Sequence, residues 1–236
     1  MSALERKMAI AEMSQITRSD ETELGLRDDA YERLLMAIIF GDLAPGLMVD
    51  EKTLAQQVGV GLASARDALQ RLALEGLVER LPRIGTRIPD LSLRDMQNVF
   101  EARMLLEGNC AALAAQRAST TDILDMRAAL DDINTVIHKK KFRVLVQRDL
   151  AFHRALAHAT GNRMIERHSA TLLNMGARFW YFALPRAEPG VLEADMLAHA
   201  QVIEAIADGD AAAAEAAMRA VLNRFPNTLS KFLLGS

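Results

Sequence analysis

The sequence predicts a mainly α-helical protein in two parts, a short run of helices closed by a small β-hairpin and then an all-α bundle of about six helices. Three observations predict this. Apolar residues recur at helical spacing through most of the chain. Convincing two-residue alternation is confined to "LVERL" and "GTRIP". From about Leu91 onward the breaks "STTD", "KKK", "TGN", "LPRAEPG" and "DGD" separate one helical pattern from the next, with no strand among them.

Taken in order, residues 1–25 mix Met, Glu, Ser, Thr and Lys without periodicity and read as a mobile arm. From Leu26, the residues Leu34, Leu35, Ile38 and Ile39 mark one face of a first helix, ended by Gly41 and the Pro45-Gly46 turn. A second, short helix spans about Glu51 to Val58 and buries Leu54, Ala55 and Val58. Gly59-Val60-Gly61 reverses the chain. A third helix then runs to about Glu75, with Gly76 where a left-handed residue is often needed. Its buried stripe is Ala65, Ala68, Leu69 and Leu72, so Ser64, Arg66, Asp67, Gln70 and Arg71 face outward. The hairpin turns at "PRIG". Helix, helix, tight turn, helix, hairpin is the order of a winged helix-turn-helix over residues 26–90, and "RLPRIGTR" concentrates Arg80, Arg83 and Arg87 in the wing without an acid. The remaining helices are expected near 92–117, 121–138, 142–160, 162–184, 191–207 and 210–232, within a second domain over 91–236.

Composition narrows the function. A chain of 236 residues that is half hydrophobic can form a real core. The longest apolar run, Leu34 to Phe40, is far below the roughly 18 residues of a membrane span. The single cysteine, Cys110, suits a reducing compartment, and the first residues lack the apolar stretch of a signal peptide, so the cytoplasm is the expected location. A formal net charge of −3 argues against non-specific coating of nucleic acid and makes any such role depend on local charge. The wing and the outward face of the third helix supply that local charge. The tight turn sets the third helix at a steep angle, so its first residues project as a reading head does into a DNA major groove.

The segment "GLMVDEKTLAQQVGVGLASARDALQRLALEGLVERLPRIGTRI" resembles the DNA-binding domain of the GntR family of bacterial transcription regulators. "FEARMLLEGNCAALAAQRA" and "HAQVIEAIADGDAAAAEAAM" resemble the helical effector-binding FCD domain of its FadR subfamily. The resemblance implies a homodimeric repressor or activator on a palindromic operator of double-stranded DNA, released or remodelled when a metabolite enters the helical domain; a small carboxylate metabolite is the effector expected here. The DNA-binding residues expected are Lys52, Ser64, Arg66 and Arg71, with Arg83, Gly85 and Thr86 on the wing. Leu62 stands where relatives commonly have Arg, and Gly61 where Ser or Thr is usual. One lost bidentate contact to guanine is worth roughly 1–3 kcal/mol of discrimination.

Asp149 and His153, four residues apart, share a helix face and can converge on one cation. His199, on a later helix, completes a two-His, one-carboxylate set. The resemblance implies a divalent metal such as zinc held by one Asp and three His, of which Asp149, His153 and His199 match while Val221 occupies the fourth position. Two readings stand. Three ligands hold a metal with positions open to a carboxylate and water, or the histidines hydrogen-bond an organic ligand directly. Arg103 is the candidate anchor for an effector carboxylate, with pairing to Glu107 at i, i+4 as the alternative. The expected function is therefore a ligand-responsive regulator, not an enzyme, with effector contacts from Arg103, Asp149, His153 and His199. A metal-dependent enzyme using the same His and Asp residues is the rival, weakened by the lack of an accompanying nucleophile or Gly-rich cofactor loop.

Overall fold

The computed structural model describes Gly25 and residues 28–233, with side chains described as far as residue 224, so the expected arm lies almost wholly outside the described residues. The chain divides into two compact units that meet between Asp90 and Leu91.

In the first unit, α1 (28–39) and α2 (Glu51–Val58) pack with α3 (Leu62–Leu74) around Leu34, Leu35, Leu54, Leu69 and Leu72, all 1% exposed or less. The expected stripe of α3 is buried in full. Val58 is only half-buried, because α2 ends there and Gly59 turns away with φ 71°, a left-handed conformation that a side chain would strain. Asp50 caps α2 by accepting from Thr53 N at 2.8 Å.

The wing is larger than a hairpin. Strands β2 (Glu79–Leu81) and β3 (Gly85–Arg87) pair antiparallel as expected, and a third strand, β1 (Met48–Val49), adds to the other side of β3 to give the order β1-β3-β2. Two residues carry no readable alternation, so β1 exists only through its pairing of Met48 with Arg87 and Val49 with Thr86. The left-handed residue of the turn is Arg83, φ 66°.

The second unit is all helix: α4 (Leu93–Arg117), α5 (Thr120–Ala129), α6 (Ile133–His138), α7 (Phe142–Ala159), α8 (Arg163–Ala183), α9 (Pro189–Ala207) and α10 (Ala211–Leu233), with a 3-10 turn at Leu184–Arg186. The helix expected over 121–138 is two, because Asp132 takes a left-handed conformation at φ 54° between α5 and α6. Aspartate tolerates that conformation better than most residues, and the apolar rhythm on either side hides the break. Ser119 and Asp122 close a reciprocal capping box at the start of α5. Ala111 and Ala114 on α4 and Ala214 on α10 are fully buried, and these small side chains let α10 lie close along α4 and α9. Phe152, Val202, Ile203 and Met218 fill the centre. No helix among the described residues is long and apolar enough to cross a membrane.

Candidate functional site

The first unit carries a groove of about 1160 Å³, open to solvent, between the starts of α2 and α3 and the wing. Lys52, Arg66, Arg80 and Arg83 line it, against the carboxylates of Asp50 and Glu51. Both carboxylates are engaged. Asp50 is held below the usual carboxylate range by its hydrogen bonds from Thr53. Glu51 accepts from Arg66 Nε at 2.8 Å and from Arg80 Nη2 at 2.5 Å, so it ties α3 to the wing. Ser64 is half-buried near the start of α3, and Gly85 opens β3.

Two of the residues expected at a duplex, Thr86 and Arg71, are engaged within the unit. Thr86 borders the groove but is 1% exposed, since β3 is the central strand and its middle side chain points into the unit. Arg71 lies over the Tyr31 ring at 3.6 Å and pairs with Asp28 and Glu75, each at 3.3 Å. It braces α3 against α1 and stands outside the lining of the groove, with its side chain half exposed. Arg87 is likewise engaged by Glu79 and Asp90.

The second unit holds a pocket with about 420 Å³ of space between atoms, its mouth included, walled by α4, α7, α8, α9 and α10. Asp149 and His153 enter it from α7 one turn apart, and His199 enters from α9. Their donor atoms lie within 4.8 Å of one another, all buried. His199 Nδ1 sits 2.7 Å from the carbonyl oxygen of Asp195, an acceptor, so Nδ1 carries the proton. Nε2 is then a lone pair. It is buried without a hydrogen-bond partner and faces Asp149 Oδ1 at 3.3 Å. Two acceptors at that distance require a positive group between them, either a second ring proton or a metal ion.

His153 shows the same orientation. Its Nδ1 lies 2.6 Å from Glu107 Oε2 in an ion pair, and its Nε2 faces Asp149 Oδ1 at 3.5 Å. A carboxylate behind a histidine fixes its tautomer and makes its far nitrogen a better ligand. Burial disfavours the charged ring, but Glu107 and Asp149 outweigh it and raise His153 to about 9. Burial would also push Glu107 up, yet Arg103 and His153 hold it at about 2. Asp149, buried as well, is kept well below the usual range by the two histidines. Asp195, on the pocket wall, is raised to about 6 by burial, with His199 and Arg224 opposing. The donor set of one carboxylate and two imidazoles fits zinc or a similar divalent ion.

Arg103 lines the pocket, but its fork is already engaged by Glu107, at 2.5 and 3.3 Å, and its Nη2 reaches 3.4 Å from His153 Nε2. It is therefore the positive edge of the triad. Gly176 on α8 makes room for it, since a Cβ there would stand 2.8 Å from Arg103 Nη1. Neither Gly176 nor the Glu107–His153 contact has a sequence signal, because both depend on how α4 meets α7 and α8. Trp180 faces the pocket as well, while its neighbour Arg178 is buried on the same helix. Val221 also lines the pocket, and Asn223 is exposed. His138, His158 and His168 are exposed.

A winged helix-turn-helix followed by a helical bundle with a buried polar pocket defines the class of two-domain transcription regulators. The family profile "Bacterial regulatory proteins, gntR family" matches residues 26–88, and that of the FCD domain matches residues 98–224. The chain belongs to the GntR family of bacterial regulatory proteins, with the FadR-like pairing of that DNA-binding domain and an FCD domain. It is 29% identical to the HTH-type transcriptional regulator LutR of Bacillus subtilis over 81% of this chain and 95% of that one. It is 27% identical to the HTH-type transcriptional repressor GlaR of Escherichia coli, over 81% and 90%. The solved structure of Escherichia coli McbR/YncC shares the fold at a TM-score of 0.77 and 17% identity, over 88% of this chain and 98% of that one. These relatives are DNA-binding transcription regulators and not enzymes, so the rival reading as a metal-dependent enzyme is not favoured.

Proposed function

We propose that this protein is a cytoplasmic, dimeric, ligand-responsive regulator that binds a two-fold symmetric operator. Lys52, Ser64, Arg66 and the wing residues Arg83 and Gly85 approach the duplex, and two copies supply the paired reading heads that a palindrome needs. The α3 N-terminus, with Gly61 giving no side-chain cap, adds backbone N–H groups for phosphate.

The sensor is the pocket in the FCD domain. Asp149, His153 and His199 hold a divalent cation, and a small organic acid completes its coordination beside the Arg103 guanidinium. The observation that carries this reading is the buried Nε2 of His199, which has no hydrogen-bond partner and faces Asp149. A ligand that binds one conformational state more tightly than the other shifts operator affinity by that difference.

The test combines duplex binding with ligand screening. Full-length protein is titrated with fragments from the promoters of its own genome at low salt, then with zinc or manganese and a panel of small carboxylates. Binding that weakens steeply with salt and changes with one carboxylate supports the proposal. Indifference to every fragment refutes the DNA-binding part, and indifference to every carboxylate in the presence of metal refutes the sensor.

A further inference from the structure

Leu62 is the first residue of α3, yet it is no part of that helix's buried stripe of Ala65, Ala68, Leu69 and Leu72. It is 37% exposed and lines the basic groove with Arg66, one helical turn further on. Two more exposed apolar side chains border the same groove, Met48 on β1 and Ile84 at the wing turn, at 43% and 72%. A single exposed leucine needs no explanation, but three around a groove that also carries Lys52, Arg66, Arg80 and Arg83 describe a surface built for a partner both anionic and locally apolar. Duplex DNA is such a partner. Along the floor of its major groove, the one apolar group that a base edge presents is the C5-methyl of thymine.

We propose that Leu62 is a specificity-determining residue that packs on a thymine methyl, so that each half-site carries a T·A pair read by apolar contact at the position Leu62 meets. The proposal rests on the reading above that α3 enters the major groove. The leucine side chain has no donor or acceptor to offer a base edge, so hydrogen-bond readout by this side chain is excluded by its chemistry. What remains is methyl-on-methyl burial, which cytosine and the purines do not return. Phosphate contacts from Arg66 and the wing position the helix without carrying sequence information themselves.

The experiment uses full-length protein and a duplex selected by it from a randomised library. Each thymine of the selected site is replaced in turn by deoxyuridine, which lacks the methyl and keeps every hydrogen-bonding group. Affinities are measured at one salt concentration for the natural protein, Leu62→Ala, and the controls Leu74→Ala and Leu124→Ala, two exposed leucines outside the groove. The expected result is one thymine per half-site at which uracil weakens the natural protein about four-fold, the value of one buried methyl group. Leu62→Ala abolishes that penalty while the two controls keep it. The proposal is overturned if no thymine is sensitive, if the sensitivity survives Leu62→Ala, or if it disappears in a control variant instead. Failure to select any duplex would overturn the major-groove reading itself, an outcome distinct from a selected site without methyl dependence.

Discussion

His199 Nδ1 and the carbonyl oxygen of Asp195 lie 2.7 Å apart on successive turns of α9, and this contact decides what the other ring nitrogen can do. With its proton committed to that carbonyl, the ring presents Nε2 to the pocket as a ligand aimed at Asp149. Protein stripped with chelator should therefore gain thermal stability when zinc or manganese is restored. At a metal concentration a hundredfold above Kd the gain is about 2.7 kcal/mol, read as a rise in Tm. His199→Ala should remove the gain. An unchanged Tm in the natural protein, or an equal rise in the variant, would refute the site.

Val221 offers a complementary test, since it lines the same pocket from α10 and is 7% exposed. Val221→His places a third imidazole, as a fourth ligand, where the bundle already converges three. Zinc affinity by competition with a chromophoric chelator should tighten on the order of tenfold or more. An unaltered affinity would mean that α10 does not direct that side chain at the ion.

How far the sequence foretold these sites follows from the range of each interaction. Asp149 and His153 were legible because i, i+4 spacing on one helix is a local fact, and the α3 stripe was legible for the same reason. His199 could be offered as a third ligand from a later helix, but only the family resemblance gave a reason to bring it to the same place. By contrast, the burial of Thr86 depends on β1, a strand of two residues that exists only when β3 pairs with it. Arg71 looked available because its outward position on α3 says nothing of Tyr31, which lies 40 residues earlier in sequence and is folded against it. The Glu107 contact with His153, and the clearance Gly176 gives Arg103, arise from helix packing that no periodicity records. The split at Asp132 was lost because a left-handed aspartate interrupts the backbone without interrupting the apolar pattern.

Glu107 is the negative centre that Arg103 and His153 share, and all three side chains are 5% exposed or less. Removing it leaves a buried guanidinium without its counter-charge. Glu107→Ala should lose about 3–5 kcal/mol in denaturant unfolding, with Glu107→Gln in between because its amide oxygen still accepts a hydrogen bond. A loss below 1 kcal/mol, on the order of an exposed pair, would show that water reaches the network.

Cys110 is 1% exposed, and burial pushes its thiol up to about 11, with a hydrogen-bonding contact to Ser169 pulling the other way. Because the thiolate is the reacting form, alkylation by iodoacetamide at about pH 8 should be slow in the folded protein and fast in denaturant, where the thiol returns to about 8.5. Labelling at equal rates in the two states would mean that the core around Cys110 opens readily.

Glu51 joins Arg66 on α3 to Arg80 on the wing, so one carboxylate positions two of the cations of the groove. The pair is exposed enough that its contribution to folding is small, and its consequence should appear in binding. Arg66→Ala should weaken every duplex by a similar factor and lower the slope of log affinity against log salt by about 1, as expected when one phosphate contact is lost. Glu51→Gln should leave the slope almost unchanged while reducing affinity, because both arginines remain but lose the group that orients them. An Arg66→Ala variant with the natural slope would place Arg66 outside the phosphate contacts, and a Glu51→Gln variant that binds more tightly would show that the carboxylate competes with phosphate instead of presenting the arginines to it.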